Sequence, residues 1–110
     1  MMKARDMGIQ LPDIINAVVG YLDVPADLLI SDTRQQEVVY ARQLISHLAL
    51  LAGFKPPEIC VGIGRDRCTI YIGSDVIENE KRIYQKVRRD VMNLSNVIIA
   101  KKFNWGIKEQ

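Results

Sequence analysis

Apolar side chains recur every three or four residues along most of this sequence, which is the period of an α-helix. The first such stripe predicts a helix over about Pro12–Leu22, which Val24-Pro25 ends. The second stripe, over about Gln35–Ala52, has apolar residues on more than one face, so we expect this helix at the centre of the fold. Gly53, directly after it, is a typical helix stop.

The same period continues through the second half of the chain. The further predicted elements are a short helical turn at Ala26–Ile30, a third helix from Pro57 to Gly62 and Gly64, a fourth from Asp66 to about Asn79, a fifth from Glu80 or Lys81 to Leu94, and a last short helix from Val97 to Lys102. Ile83, Val87 and Leu94 supply the apolar face of the fifth helix, and Ser95-Asn96 caps the last one. Thr69–Ile72 is β-prone, but the surrounding period favours helix. The sequence therefore predicts an all-α bundle of five to six helices.

The segment Pro57–Tyr71, PEICVGIGRDRCTIY, has the layout of a helix–turn–helix. A short helix is followed by a turn that carries Gly62 and Gly64, and a second helix opens at Asp66. Such a pair can place its second helix in the major groove of DNA. The polar run Arg65–Thr69 at the tip of that helix is rich in the donors that base edges require. The spacing alone is a weak signal, because many helical hairpins that never touch DNA have a glycine turn.

Together with the upstream segment Ser31–Gly53, this segment resembles the C-terminal DNA-binding domain of the bacterial replication initiator DnaA. That family has Asp-Leu-Leu, a basic loop, a long helix with an Arg-Gln pair, a Pro-Glu-Ile helix, and a recognition helix that opens Arg-Asp-His-Thr-Thr. The similar positions here are Asp27-Leu28-Leu29, the loop around Arg34, Arg42-Gln43, Pro57-Glu58-Ile59 and Arg65-Asp66-Arg67-Cys68-Thr69, in the same order over about Leu11 to Leu94. The resemblance implies a helix–turn–helix bundle of the Trp-repressor-like type that binds double-stranded DNA.

The candidate DNA-binding residues combine this resemblance with side-chain chemistry. They are Arg34, Gln35, Arg42, Lys55, Arg65, Asp66, Arg67, Cys68 and Thr69. The resemblance implies that Arg34 enters the minor groove and that Arg42, on the outer face of the long helix, holds a phosphate. Arg67 suits guanine, which accepts two hydrogen bonds from arginine. Lys55 and Arg65 flank the hairpin and suit contacts to the DNA backbone.

Each of these roles has a purely structural alternative. Asp66 is a plausible N-cap whether or not it also accepts a hydrogen bond from cytosine. Arg34 can be a solvated loop residue, and Arg42 can pair with Glu37 or Glu58 within the chain. Thr69 can contact a phosphate or a thymine methyl group.

The chain also departs from the family pattern. Arg67 and Cys68 stand where the family has His and Thr, and one glycine is missing before Arg65. The basic loop is thinned to Ser31–Gln36, where Arg34 is the single cation. The resemblance therefore implies duplex DNA binding without implying the family's usual target sequence.

Composition alone does not indicate nucleic-acid binding. The chain has 110 residues, a net charge of only +2, and ordinary hydrophobic and charged contents of 48% and 25%. We expect one domain over residues 11–102, with tails at 1–10 and 103–110. Five cations cluster within Lys81–Arg89, although such a run is usually a solvated helix face.

A protein-interaction module on a decayed initiator fold is the alternative function. The small net charge and the thinned loop favour it. Phe103 and Trp105 in the C-terminal tail offer apolar anchors for a protein partner or for self-association.

Other classes of function lack their motifs in this sequence. Cys60 and Cys68 form no Cys-x-x-Cys pair, and His47 lies far from both, so we expect neither a metal nor another cofactor. The chain has no G-x-x-x-x-G-K-[ST] loop, so we expect no nucleoside triphosphate site and a function without an ATPase domain. No carboxylate pair or nucleophile–base set indicates an enzyme. The polar N-terminus and the short apolar runs predict a cytoplasmic protein without membrane spans.

Overall fold

Five α-helices and one short 3₁₀ turn account for most of the residues that the computed structural model describes, which are 8–108 for the backbone and 8–99 for the side chains. The helices are α1 (Leu11–Leu22), α2 (Gln36–Ala52), α3 (Pro56–Ile63), α4 (Arg67–Ile83) and α5 (Gln85–Lys108), and the 3₁₀ turn is Ala26–Leu29. None of the described residues forms a strand, which confirms the all-α prediction.

Helix α2 lies at the centre, as its apolar pattern predicted. It contacts all four other helices and the 3₁₀ turn. Ala41, Leu44 and Ile45 are fully buried on it, and together with the other core residues they form one apolar cluster. At Gly73, α4 comes so close to α2 that an added Cβ atom would lie 3.4 Å from the Cα atom of Gln43.

The boundary between the last two helices differs from the prediction. Helix α4 continues to Ile83, and α5 begins at Gln85 after the extended residue Tyr84 (φ −109°, ψ 121°). Lys81 and Arg82 favour this longer α4, because cations stabilise the negative C-terminal end of a helix dipole. Ile83 is consequently 70% exposed and does not belong to the apolar face of α5.

The predicted break at Ser95-Asn96 is also wrong, since α5 runs through it. Leu94 and Ile98, one turn apart, are both buried, and packing holds the helix straight across the polar pair. The backbone of α5 reaches Lys108, beyond the predicted domain end, whereas the side chains of the proposed tail anchors at 103 and 105 lie outside the described part. At the other end, Ile9 is 2% exposed within the core, so the core starts two residues before the predicted domain boundary.

One buried carboxylate ties α5 to the rest of the bundle. Asp90 is 6% exposed and accepts hydrogen bonds from the hydroxyls of Tyr21 (2.9 Å) and Tyr40 (2.7 Å) and from Lys86 Nζ (2.9 Å). Burial raises the pKa of Asp90, but the hydrogen bonds from Lys86 and the two tyrosines outweigh it, so that the pKa lies below its usual value.

Candidate nucleic-acid interface

Three residues, Gly64 to Asp66, join α3 to α4. Gly64 ends α3 in the left-handed conformation (φ 64°), which glycine adopts without strain. Asp66 caps α4 as predicted, because its carboxylate accepts the backbone N–H of Thr69 at 2.8 Å. Hydrogen bonds from Thr69 lower the pKa of Asp66, which keeps the cap ionised. Gly62, predicted to share the turn, lies inside α3, where a Cβ atom would come within 2.9 Å of Leu11 Cδ2.

The first turn of α4 presents polar side chains to solvent. Arg67, Cys68 and Thr69, which we call the α4 tip, are all exposed. Ile70 directly after them is fully buried. The core therefore holds the helix by its inner face, while the tip projects outward with one guanidinium, one thiol and one hydroxyl.

Arg42 does not lie on the outer face of α2, and this part of the prediction is wrong. The side chain is 8% exposed, and its guanidinium donates to backbone carbonyls before α2. The accepting oxygens belong to Leu28 (3.0 Å), Leu29 (2.9 Å), Ser31 (2.8 Å) and Thr33 (3.0 Å). These carbonyls end a 3₁₀ turn and begin a loop, where few backbone N–H groups are available to them, and arginine is the side chain with enough donors for all four.

Burial and the neighbouring Arg65 guanidinium lower the pKa of Arg42. Because Arg42 donates to these four carbonyls, its main contacts are not the predicted pairs with Glu37 or Glu58. Gln43, the next residue on α2, lies half-buried against α4.

A second arginine fastens the same loop to the turn between α3 and α4. Arg65 donates to the carbonyl of Ser31 and to that of Gly64 (2.9 Å). Ile30 packs on the turn as well, since its Cγ2 atom is 3.0 Å from where a Cβ of Gly64 would stand. We call residues Ile30–Gln35 the anchored loop. Arg42 and Arg65 share the Ser31 carbonyl, so the loop, α2 and the start of α4 form one connected unit.

The exposed candidates are arranged around this unit. Arg34 and Gln35 are exposed on the anchored loop, and Gln35 is the residue before α2. Because consecutive Cα atoms are 3.8 Å apart, Arg34 lies within about 11 Å of Ser31, where the loop meets the turn. Lys55 is exposed at the other end of α3, about 12 Å of helix away from the turn. The structure thus fastens the loop that carries Arg34 to the turn that precedes the α4 tip, and it leaves Lys55 at the margin.

The basic run Lys81–Arg89 is partly engaged in contacts within the chain. Lys81 pairs with Glu78 at 3.1 Å, Lys86 with Asp90, and Arg88 Nε donates to the carbonyl of Lys81 at 3.2 Å. The run spans the end of α4 and the start of α5, away from the α4 tip. Its position agrees with a solvated helix surface.

The remaining reactive side chains form no site of their own in the described part of the chain. His47 is buried, with Nδ1 3.5 Å from Ser74 Oγ and 3.9 Å from Glu78 Oε2, and burial lowers its pKa. Cys60 and Cys68 are both free thiols. No group of three or more potential metal-binding side chains occurs among residues 8–99. No helix in the described part has the length and apolarity to cross a membrane.

The fold and this surface define an all-α domain with an exposed, polar helix tip beside an arginine-anchored loop. No family model matches the sequence. The chain is 23% identical over 108 residues to the chromosomal replication initiator protein DnaA of Bacteroides fragilis (strain YCH46). The match covers 96% of this chain but 23% of that relative, so the chain spans less than a quarter of its length. This distant likeness is consistent with a DnaA-like domain.

Proposed function

We propose that this protein binds double-stranded DNA with α3 and α4 acting as a helix–turn–helix. The α4 tip enters the major groove, and the anchored loop lies beside it against the DNA backbone or the minor groove. The observation that carries the proposal is the joint exposure of Arg34 and the α4 tip, on two segments that Arg65 and Arg42 fasten together.

The side chains of the tip have the chemistry for base recognition. Arg67 can donate two hydrogen bonds to the N7 and O6 atoms of one guanine, which is a common specific contact in the major groove. Thr69 has a hydroxyl for a phosphate and a methyl group for an apolar contact. Arg34 on the loop is the cation placed to enter a narrow minor groove, where negative potential is concentrated.

Arg42 has a positioning role in this proposal and makes no phosphate contact. Its donors are taken up by four carbonyls, so it sets the conformation of the loop that presents Arg34. Arg65 likewise donates to the Ser31 carbonyl, and only its remaining N–H groups can reach DNA. Fewer direct phosphate contacts are therefore expected than a count of cations in the sequence suggests.

The likeness to DnaA supports the proposal, and the substitutions at the tip point to a different target. Arg67 and Cys68 replace the His and Thr of the family pattern. A longer, permanently charged side chain favours guanine, and a thiol donates hydrogen bonds only weakly. We propose a role in marking or blocking a site, as a transcriptional regulator or a replication accessory factor does.

Selection of bound sequences from a random duplex pool tests the proposal, because it measures binding and reports the preferred site together. The affinity for the selected duplex should fall linearly with salt on logarithmic axes, with a slope of about −0.9 for each phosphate contact. Absence of binding to the whole pool at low salt would refute the proposal. The alternative, a protein-interaction module, would then be favoured.

A further inference from the structure

Ile72 is an apolar side chain that the core does not use. It lies on α4 one turn after the α4 tip and is 62% exposed. The neighbouring core positions of α4 are Ile70, Gly73 and Ile77, all buried. An isoleucine on the exposed side of this helix contributes little to the stability of the bundle, and its apolar surface is available to a partner.

Ile72 lies on the exposed side of α4, at the rim of a cleft that Val39 and Gln43 of α2 also line. The exposed residues on this face are Cys68, Ile72, Asp75 and Asn79, at spacings of four, three and four. Residues at these spacings lie above one another on a helix surface. The outward face is therefore apolar over its first two turns, and it becomes acidic at Asp75, where a carboxylate would repel phosphate groups. Contact with DNA is consequently confined to the stretch from Arg67 to Ile72.

Within the major groove, the C5-methyl group of thymine is the apolar feature of the base edges. An exposed isoleucine can bury this methyl group and its own side chain together, and it offers no hydrogen bond to any other base. Ile72 lies five residues after Arg67, which is about 7.5 Å along the helix axis and about 140° around it, so the two side chains reach different parts of the groove.

We propose that Ile72 reads a thymine through its C5-methyl group, at a base pair other than the one that Arg67 contacts. This inference rests on the proposed function, because it needs α4 to lie in the major groove. Ile72 is then a specificity-determining residue. Cys68 lies one turn earlier on the same side of α4 and packs beside Ile72 against the methyl group.

Replacement of single thymines by deoxyuridine tests the contact, because it removes the methyl group and leaves base pairing unchanged. In the selected duplex, one such replacement should weaken binding of the wild-type protein about three- to five-fold, as expected for one buried methyl group. Ile72→Ala should bind the thymine duplex more weakly by a similar factor and should no longer distinguish thymine from uracil at that position. Ile72→Val should retain part of the discrimination.

Ile83→Ala is the matched control, since Ile83 is 70% exposed at the opposite end of the same helix. It should keep the full thymine preference. Several results would overturn the inference while leaving the proposed function intact: a selected site without thymine, wild-type binding that is indifferent to every deoxyuridine, or unchanged discrimination in Ile72→Ala. Failure to bind any duplex would instead refute both proposals.

Discussion

The anchored loop and the α4 tip both carry arginine, yet they use it in opposite ways. Arg42 is 8% exposed and donates four hydrogen bonds to backbone carbonyls, two in the 3₁₀ turn (Leu28 and Leu29) and two in the anchored loop (Ser31 and Thr33). Arg67 stands in solvent on the first turn of α4. The same side chain therefore shapes the protein in one region and is available to a partner in the other. Burial, and not charge, separates the two roles.

The two regions also depend on one another. Arg65 connects them, because it follows Gly64 in the turn before α4 and donates to Ser31 in the loop. A change in the loop anchor should disturb stability first and binding as a consequence. A change at the tip should disturb binding alone. The following variants separate these cases.

The largest effect is expected for Arg42→Ala. Four loop carbonyls lose a charged donor, and we expect the free energy of unfolding to fall by about 2–4 kcal/mol. Urea unfolding, followed by circular dichroism, measures this change. Arg34→Ala removes the same charge from an exposed position of the loop and should stay within about 0.5 kcal/mol of the wild type. Equal stabilities of the two variants would show that the anchor does not hold the loop.

A smaller loss is expected for Gly64→Ala, which acts on the joint between the two regions. The new Cβ would force a left-handed conformation on alanine and meet Ile30 at 3.0 Å. We expect a loss of about 1–2 kcal/mol in the free energy of unfolding. Gly20→Ala is the control, because its Cβ, in the last turn of α1, would meet nothing within 4 Å. If Gly64→Ala were as stable as Gly20→Ala, close packing of the loop on the turn would be contradicted.

Asp90 in α5 should contribute to the pH dependence of stability. The pKa of Asp90 is lower in the folded state than in the unfolded chain. Its contribution to stability is therefore complete above the unfolded pKa of about 3.9 and is lost as the pH falls through the folded value. Asp90→Asn should cost about 1 kcal/mol at neutral pH and should flatten the acid limb of the stability curve. If Asp90→Asn left the acid limb unchanged, other carboxylates would account for the loss of stability at low pH.

The smallest effect is expected for Arg34→Ala in DNA binding. Loss of this exposed loop cation should reduce the slope of affinity against salt by about 1 and should weaken binding most at duplexes whose minor groove is narrow beside the loop. Salt titrations on the selected duplex and on a variant with a wider, G·C-rich minor groove at that place measure both quantities. An equal loss on the two duplexes would assign Arg34 to the DNA backbone rather than to the minor groove.

Local signals in the sequence predicted most of the fold. Gly53 and Gly64 end helices, Asp66 caps α4, and the apolar faces of α2 place it at the centre. The break at Tyr84 carries neither glycine nor proline, and for this reason the boundary between α4 and α5 was misplaced. The local signal for the longer α4 was the pair of cations Lys81 and Arg82, which suits the last turn of a helix.

The site was predictable only in part. The exposed tip follows from the capped start of α4, whereas the burial of Arg42 depends on where the 3₁₀ turn packs, which no local pattern encodes. Ile72 could have been found from the sequence, because its helical position is opposite to Ile70 and Ile77 once the bounds of α4 are known.

The central claim is that the α4 tip reads DNA, and a comparison of Arg67→Ala with Arg82→Ala tests it most directly. Both variants remove one exposed arginine from α4, at sites about 22 Å apart along its axis. Affinities would be measured at fixed salt for the selected duplex and for its single base-pair variants. We expect Arg67→Ala to lose about 1–3 kcal/mol and to relax the preference at one base pair, with Arg82→Ala close to the wild type. Equal affinities of the two variants, or a loss in Arg67→Ala that is the same for every sequence, would contradict the account.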